Sequence, residues 1–235
     1  MAETPSPSTP PSPSPTPSGS PTPHPDGPIK LTFDRSQKSL TDPSSIWVVV
    51  NKLNRLDPKS YAADDLVTVP VDHTNPAVLR TKAADALVEM FDAYAAEADG
   101  KLQVLSSYRS YDVQVSVYGG YAASEGADGA DTHSARPGFS EHQTGLALDI
   151  GGLPSECPLA ACFADTDQGK WLKANAYKWG FILRYPKGLT DITGYTFEPW
   201  HYRYVGVDLA TAMHDTDIKT LEQFFDLPAA PDYAD

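Results

Sequence analysis

Two short segments of the sequence carry residue types that could bind and use a metal ion. His142 and Asp149 lie seven residues apart in the first segment, and Glu198 and His201 lie three residues apart in the second. Imidazole and carboxylate are good zinc donors, and three protein ligands leave a fourth position open for water, as in catalytic zinc sites. Glu198 could then take a proton from that water. The set therefore predicts metal-assisted hydrolysis.

The local pattern around the first segment indicates how its ligands could converge. Residues 145–150 predict a strand whose two leucines face the core, while Asp149 faces the opposite side. An unbroken strand would place His142 and Asp149 on different faces, so we expect a turn, and Gly145 suits it. Taken alone, His142 could be a surface residue and Asp149 a cap; the second segment favours the metal site.

Glu198 is followed by a proline, which favours an extended backbone over a helix. The segment therefore differs from the helical His-Glu-x-x-His zinc site of other metalloproteases. A carboxylate three positions from a ligand can still reach the same water. We expect the Trp200 side chain to pack behind the site. The alternative interpretation of Glu198 is a charged surface residue without a catalytic role.

These segments resemble the VanY-type zinc D-alanyl-D-alanine carboxypeptidases. The pattern Ser-x-His-x-x-Gly-x-Ala-x-Asp is met at 140–149, and Glu-x-Trp-His is met at 198–201. The flanks Ser-Tyr-Arg-Ser (107–110), Trp-Gly-Phe (179–181) and His-Tyr-Arg-Tyr-Val-Gly (201–206) agree as well. The resemblance covers about residues 46–207. It implies the α+β fold of the hedgehog signalling domain, with a small antiparallel sheet flanked by helices.

The resemblance also implies roles for individual residues. His142, Asp149 and His201 would bind Zn2+, while Glu198 would act as general base and then as general acid. Arg109 matches the arginine that stabilises the substrate carbonyl as charge develops, and its planar fork suits an oxyanion or a carboxylate. Water would attack the peptide bond directly, so no acyl-enzyme would form.

Other polar residues are weaker candidates. Ser140 and Gln114 could hold the terminal carboxylate of a substrate, although Ser140 could instead brace its loop and Gln114 could be an exposed helix residue. Arg109, as a bare sequence feature, could equally form a surface salt bridge. His133 could border the cleft, but we expect it to be exposed. The other histidines, His24, His73 and His214, have no ligand-like neighbours in sequence.

The function implied by the resemblance is a D,D-carboxypeptidase that removes the terminal D-alanine from peptidoglycan stem peptides. One alternative is an L,D-carboxypeptidase acting on tetrapeptide stems. A lysin-type endopeptidase is disfavoured because the chain shows no wall-binding repeat. A different class would be a zinc-bearing, wall-binding module without activity, against which Glu198 and Arg109 argue.

The elements that would position these residues do not alternate regularly between strand and helix. Apolar patterning predicts strands at 46–50, 102–105, 145–150, 181–184 and 200–204 and helices at 76–98, 110–123, 167–179 and 216–225. Residues 124–141 and 151–166 predict loops. This order favours an α+β fold with a small antiparallel sheet.

Composition separates the first residues from the rest of the 235-residue chain. Residues 1–28 hold 11 of the 22 prolines, with six serines and four threonines, which predicts a disordered linker. Residues 29–235 suit one catalytic domain. The net charge of −13 argues against a nucleic-acid partner, and no apolar run is long enough to span a membrane.

The chain lacks a recognisable signal peptide, and a Pro/Ser/Thr tract of this kind often holds a domain away from a membrane or wall. We therefore expect a monomer that is secreted or held at the cell envelope, numbered after a removed leader; a cytosolic protein with a flexible tail is the alternative. Cys157 and Cys162, the only cysteines, predict a disulfide in such a compartment. Free thiols or a metal site are the other possibilities.

Overall fold

The computed structural model of this protein describes Met1 and residues 33–234. The predicted linker at 1–28 lies, apart from Met1, outside the described residues. The division into a linker and a catalytic domain from residue 29 therefore stays a prediction.

A four-stranded antiparallel sheet forms the centre of the described chain, in the order β3-β4-β6-β5. These strands are β3 (Lys101–Ser106), β4 (Ala147–Leu153), β5 (Phe181–Leu183) and β6 (His201–Tyr204). A second, two-stranded antiparallel sheet pairs β1 (Leu66–Thr68) with β2 (Val78–Arg80). The predicted α+β class with a small antiparallel sheet is confirmed.

Six α-helices accompany the sheets in the described residues. They are α1 (Thr81–Glu97), α2 (Tyr111–Ala130), α3 (Asp167–Asn175), α4 (Thr190–Thr193), α5 (Val207–Thr216) and α6 (Leu221–Phe224). Helix α1 buries one apolar face because Ala83, Leu87 and Met90 recur at helical spacing. That face packs with Leu148 and Ile150 of β4 in the main core, so the helix supports the strand that carries Asp149.

The apolar segment at 46–50 is not a strand, contrary to the prediction. Its residues follow an irregular path, and the side chains of 47–50 are buried. The carbonyls of Ile46 and Val48 accept hydrogen bonds from Arg203, and the Trp47 indole donates to the carbonyl of Val205. The apolar run therefore reflects burial against the sheet rather than membership of it.

Three predicted boundaries were also wrong. The helix expected from residue 76 begins only at Thr81, because Val78–Arg80 pair with β1. The second helix runs to Ala130 through part of the predicted 124–141 loop, with a non-helical backbone at Gly126. The predicted helix at 216–225 is α6 alone, and α5 ends before it at Asp217, whose backbone is left-handed (φ 58°).

The predicted disulfide is confirmed between Cys157 and Cys162, whose Cα atoms lie 5.7 Å apart. It closes a short loop after β4, and the side chain of Cys157 packs against the main core. Among the described residues, no helix combines the length and the apolar character needed to cross a membrane.

Candidate metal centre

The register of two neighbouring strands brings Asp149 and His201 together. In the antiparallel pair of β4 and β6, Asp149 lies directly opposite His201. Residues opposite each other in such a pair project from the same face of the sheet. On β4 the neighbouring Leu148 and Ile150 are buried in the core, so the predicted alternation of faces is confirmed.

A tight turn brings His142 to the same face. His142 lies in a short 3-10 helix, Glu141–Thr144, which ends at Gly145 with a left-handed backbone (φ 69°). A Cβ atom at position 145 would lie 2.6 Å from a methyl group of Leu66, so glycine suits both the space and the conformation. The predicted turn at Gly145 is therefore present and reverses the chain between the first two residues of the cluster.

The three side chains present donor atoms that all lie within 4.8 Å of one another. His142 Nε2 is 3.5 Å from Asp149 Oδ2, and His201 Nδ1 is 3.2 Å from Asp149 Oδ1. Ligands of one tetrahedral zinc ion, at bonds of about 2.0–2.2 Å, are separated by roughly 3.3 Å. The spacing therefore fits a single zinc ion, although each contact alone could be an ion pair.

The environment of one Asp149 oxygen favours a bound metal ion over a simple ion pair. Asp149 Oδ1 is buried and accepts no hydrogen bond of good geometry among the described residues, although His201 Nδ1 lies 3.2 Å from it. An unsatisfied buried carboxylate oxygen is costly, whereas a bound cation would satisfy it. Burial alone would raise the pKa of Asp149, but His142 and His201 hold it well below its ordinary value of 3.8. The carboxylate is therefore ready to act as a ligand.

In each histidine ring, the nitrogen that points away from Asp149 contacts another oxygen atom of the protein. His142 Nδ1 lies 2.8 Å from the carbonyl oxygen of Ser107, and His201 Nε2 lies 3.4 Å from Glu141 Oε2. The inner nitrogens, Nε2 of His142 and Nδ1 of His201, are those that face Asp149. The two rings meet edge to face, with centroids 5.0 Å apart. This arrangement leaves one nitrogen of each ring free to ligate.

Glu198 lies beside this cluster, and its contact there is with a histidine rather than with an arginine or lysine. Its Oε2 is 3.7 Å from His201 Nδ1, and its side chain is only 10 % exposed. The backbone there is non-helical, as predicted from the following proline. Burial raises the pKa of Glu198 to about 8, a shift that attraction to His201 and Arg109 opposes only partly. A buried carboxyl with a raised pKa in a cleft is typical of a proton-transfer group.

Arg109 lines the same cleft, and hydrogen bonds to two neighbouring side chains fix its guanidinium group. Its Nη1 donates to Gln114 Oε1 at 2.9 Å, and its Nη2 donates to Ser106 Oγ at 3.2 Å. Gln114 is fully buried, unlike the exposed helix residue of the alternative prediction, and its amide also donates to the carbonyl of Ala135. In this position Gln114 orients the guanidinium, whereas Ser140 lines the cleft itself.

The cleft over the cluster has a volume of about 310 Å³. Aromatic side chains that the motifs did not single out line it, among them Tyr185, whose ring packs on His201 with centroids 4.8 Å apart. His133 is exposed, as expected, and it also borders the cleft, where it contacts Glu125 at 2.9 Å. Trp200 lines the cleft and also packs against the main core, as expected from its position beside His201. The position of Tyr185 depends on long-range packing and had no signal in the local sequence.

Comparison with known proteins gives a consistent family. Residues 76–207 match the family model VanY, described as D-alanyl-D-alanine carboxypeptidase. YodJ of Bacillus subtilis (strain 168) is 43% identical over 195 residues, which cover 80% of this chain and 70% of YodJ. A D-alanyl-D-alanine carboxypeptidase of Enterococcus faecalis (strain ATCC 700802 / V583) is 39% identical over 140 residues, or 54% of this chain and 48% of that protein.

Solved structures show the same relationship. The LdcB LD-carboxypeptidase is similar with a TM-score of 0.72 and 43% identity, over 78% of this chain and 87% of that one. The vancomycin resistance D,D-pentapeptidase VanY, as a point mutant in complex with Zn(II), gives a TM-score of 0.63 and 30% identity, over 77% of this chain and 98% of that one.

Proposed function

Because this chain belongs to the VanY family of D-alanyl-D-alanine carboxypeptidases, we propose that it is a zinc-dependent carboxypeptidase that removes the terminal D-alanine from peptidoglycan stem peptides. The observation that carries the proposal is the buried cluster of His142, Asp149 and His201, in which Asp149 Oδ1 accepts no hydrogen bond and faces His201 Nδ1 at 3.2 Å. A cell-wall peptidase of this family acts outside the cytoplasm. Secretion of this chain is part of the proposal.

The three residues of the cluster would hold the zinc ion, and the Zn(II) complex of the VanY relative supports that assignment. A bound zinc ion supplies Lewis acidity, which polarises a carbonyl group and lowers the pKa of a water molecule toward neutrality. Two imidazoles and one carboxylate leave a position open, as catalytic zinc sites require.

Glu198 is the group that would move the proton. It is placed to accept a proton from the attacking water and then to give it to the leaving amine of D-alanine. A pKa of about 8 would leave its carboxyl largely protonated at neutral pH. A cation held by the neighbouring ligands favours the ionised form and lowers that pKa. Metal binding would therefore prepare Glu198 to act as a base.

Arg109 would stabilise the negative charge that develops on the carbonyl oxygen. Its guanidinium lines the cleft and is oriented by Gln114 and Ser106, so little reorganisation is needed when charge appears. Ser140, which lines the same cleft, would hold the terminal carboxylate of the substrate. Gln114 would act through Arg109 rather than on the substrate.

The stereochemistry of the cleaved bond has two candidates. The family description and the enterococcal relative favour a D,D bond, as in a pentapeptide stem. The likeness to the LdcB LD-carboxypeptidase is stronger than the likeness to VanY in both identity and TM-score. That difference favours the L,D bond of a tetrapeptide stem as the main substrate, with the D,D activity as the second candidate.

One experiment tests the proposal and separates the two bonds. The zinc-loaded chain is incubated with purified tetrapeptide and pentapeptide muropeptides, and the products are identified by mass. Loss of one alanine residue from the tetrapeptide supports the L,D activity, and loss from the pentapeptide alone supports the D,D activity. Absence of any alanine release from both substrates would contradict the proposed function.

A further inference from the structure

A cluster of four buried charges reaches His201 on the side of its ring opposite Asp149, and of the four only Glu141 also lines the cleft. Glu141, Arg184, Arg203 and Glu222 are each fully or almost fully buried. Arg184 forms a two-pronged ion pair with Glu222, at 2.7 and 3.0 Å, and its Nε donates to Glu141 Oε1 at 2.9 Å. Two carboxylates face two guanidinium groups, so the charges balance. We call these four residues the ionic network.

Glu141 is the member of the ionic network that contacts the metal cluster. Its Oε1 accepts hydrogen bonds from both arginines, from Arg184 at 2.9 Å and from Arg203 at 2.8 Å. Its other oxygen, Oε2, lies 3.4 Å from His201 Nε2. The two arginines thus fix one oxygen of the carboxylate, which leaves the other directed at the histidine ring.

The contact of Glu141 lies on the opposite side of the ring from the ligand cluster. His201 Nδ1 faces Asp149 and Glu198, while Nε2 faces Glu141. An ionised carboxylate only accepts hydrogen bonds, so it favours the ring form that carries its proton on Nε2. We propose that Glu141 is a positioning residue that keeps the proton of His201 on Nε2 and so leaves Nδ1 free to bind the metal.

His142, the other histidine of the cluster, is also oriented by a hydrogen-bond acceptor on the ring nitrogen away from Asp149, but this acceptor is weaker. His142 is oriented by the neutral carbonyl oxygen of Ser107 at 2.8 Å. His201 faces a carboxylate that belongs to a fully buried network. A negatively charged acceptor makes the ligating nitrogen more basic than a carbonyl does. The proposal therefore makes His201 the stronger donor of the two.

The ionic network draws on parts of the chain outside the residues that match the family model. Glu222 lies in α6, and Asn51 donates to its Oε1 at 2.9 Å. Arg203 also donates to the carbonyls of Ile46 and Val48. The segments before residue 76 and after residue 207 thus contribute to the ionic network on the Nε2 side of His201. Neither segment lines the cleft.

The substitution Glu141→Gln tests the positioning role directly. The two arginines require an acceptor, so they orient the amide oxygen of glutamine toward themselves and its NH2 group toward His201. An NH2 group facing Nε2 favours the ring form with its proton on Nδ1, which blocks the ligating atom. Loss of such a supporting partner costs about 10–100-fold in metal affinity. The measurement is the Zn2+ dissociation constant by competition with a chelator.

Glu222→Gln is the matched control. It makes the same change in the same ionic network and removes a charge from Arg184, but Glu222 makes no contact with His201 among the described hydrogen bonds and ion pairs. We expect Glu141→Gln to weaken Zn2+ binding by about 10–100-fold and Glu222→Gln to leave it unchanged. Equal Zn2+ affinity in Glu141→Gln and the wild type would overturn the inference. Equal weakening in both variants would also overturn it, since a purely structural role predicts that result.

A measurement on the wild-type chain keeps the inference testable if the variants do not fold. Ring nitrogens of the zinc-loaded, 15N-labelled protein are observed by NMR, and the proposal expects the proton of His201 on Nε2. A proton on Nδ1 would overturn it. The inference rests on the proposed zinc centre. Failure of the wild type to bind Zn2+ would overturn both, whereas tight binding with the wrong ring form overturns the positioning role alone.

Discussion

Two groups of buried carboxylates lie on opposite sides of His201, and they differ in how their charges are compensated. In the ionic network, Glu141 and Glu222 receive hydrogen bonds from two arginines, which satisfy their buried oxygens. In the cleft, within the described part of the chain, Asp149 contacts only histidines and one of its oxygens accepts no hydrogen bond, while Glu198 has no arginine or lysine within ion-pair distance. The compensated carboxylates support the structure, and the uncompensated ones are available for chemistry.

The pKa values follow the same division. Burial alone would raise the pKa of Glu141 and Glu222, but Arg184 outweighs it and, with Arg203 beside Glu141, holds both below the ordinary value of 4.5. Glu198 is buried to a similar degree, and its pKa is raised to about 8. Similar burial therefore has opposite outcomes, and the presence or absence of a paired guanidinium group decides between them.

The largest predicted effect is a loss of turnover on substitution of Glu198 in the cleft. Glu198→Gln removes the proton acceptor with almost no change in volume, so D-alanine release at saturating substrate should fall by about 10²–10⁴-fold. Zinc content should not change, because Glu198 is outside the ligand set. The melting temperature should stay equal or rise, because a desolvated carboxylate is replaced by a neutral amide. Near-normal turnover in this variant would show that another group activates the water.

Substitution of Glu222 in the ionic network should lower the free energy of unfolding but leave turnover unchanged. Glu222→Gln leaves Arg184 with one fewer buried carboxylate, which should lower the free energy of unfolding by about 3–5 kcal/mol. Turnover at a temperature where the variant is folded should match the wild type. Urea unfolding and D-alanine release measure the two effects. A large loss of turnover in a fully folded Glu222→Gln variant would contradict the separation of the two regions.

The same carboxylate should make stability depend on pH. The pKa of Glu222 is lower in the folded chain than its ordinary value of 4.5, so the unfolded chain binds the proton more readily. Its contribution is fully present above that ordinary value and is lost as the pH falls through the folded value. Urea unfolding at a series of pH values should show a shallower acid loss in Glu222→Gln than in the wild type. An identical slope in the two proteins would contradict this assignment.

Arg109 should show a smaller catalytic effect than Glu198. Removal of one preorganised donor to a developing negative charge costs about 10²–10³-fold in turnover, and we expect Arg109→Ala to fall in that range with zinc content intact. Arg109→Lys is the matched control, because it keeps the charge and loses the fork that Gln114 and Ser106 orient. Full activity in Arg109→Ala would remove it from the mechanism.

The smallest effect should come from the disulfide, which lies in a loop rather than in either carboxylate group. Cys157 and Cys162 enclose only a short loop, so Cys157→Ser with Cys162→Ser should lower stability by no more than about 2–3 kcal/mol. Mass spectrometry without reductant should show the wild-type pair two hydrogens lighter than the free thiols. Freely alkylated cysteines in the protein purified without reductant would contradict the pairing.

The sequence predicted the cleft much better than the ionic network behind it. The proposed ligands His142 and Asp149 lie seven residues apart within one segment, and the strand alternation and the glycine turn are local features. Glu141 and Glu222 are far apart in sequence and meet only through Arg184, so local patterning could not pair them. The signal that could have pointed to the network was that Glu141 directly precedes a ligand.

The errors in secondary structure have a similar cause. The apolar segment at 46–50 has the composition of a strand, yet its carbonyls bond to Arg203 instead of to a neighbouring strand. Helix α2 continues through glycine-rich sequence that predicts a loop, and it carries Tyr121 to the edge of the cleft. At 46–50, long-range contacts overrode local preference.

The central claim is that His142, Asp149 and His201 hold one zinc ion, and metal analysis tests it most directly. The purified full chain is dialysed and its zinc is measured per mole of protein, alongside His201→Ala and Asp149→Ala. We expect about one zinc per wild-type chain, as a single site of three ligands requires, and loss of that zinc in both variants. A wild-type chain that binds no zinc, or variants that keep the full complement, would contradict the account.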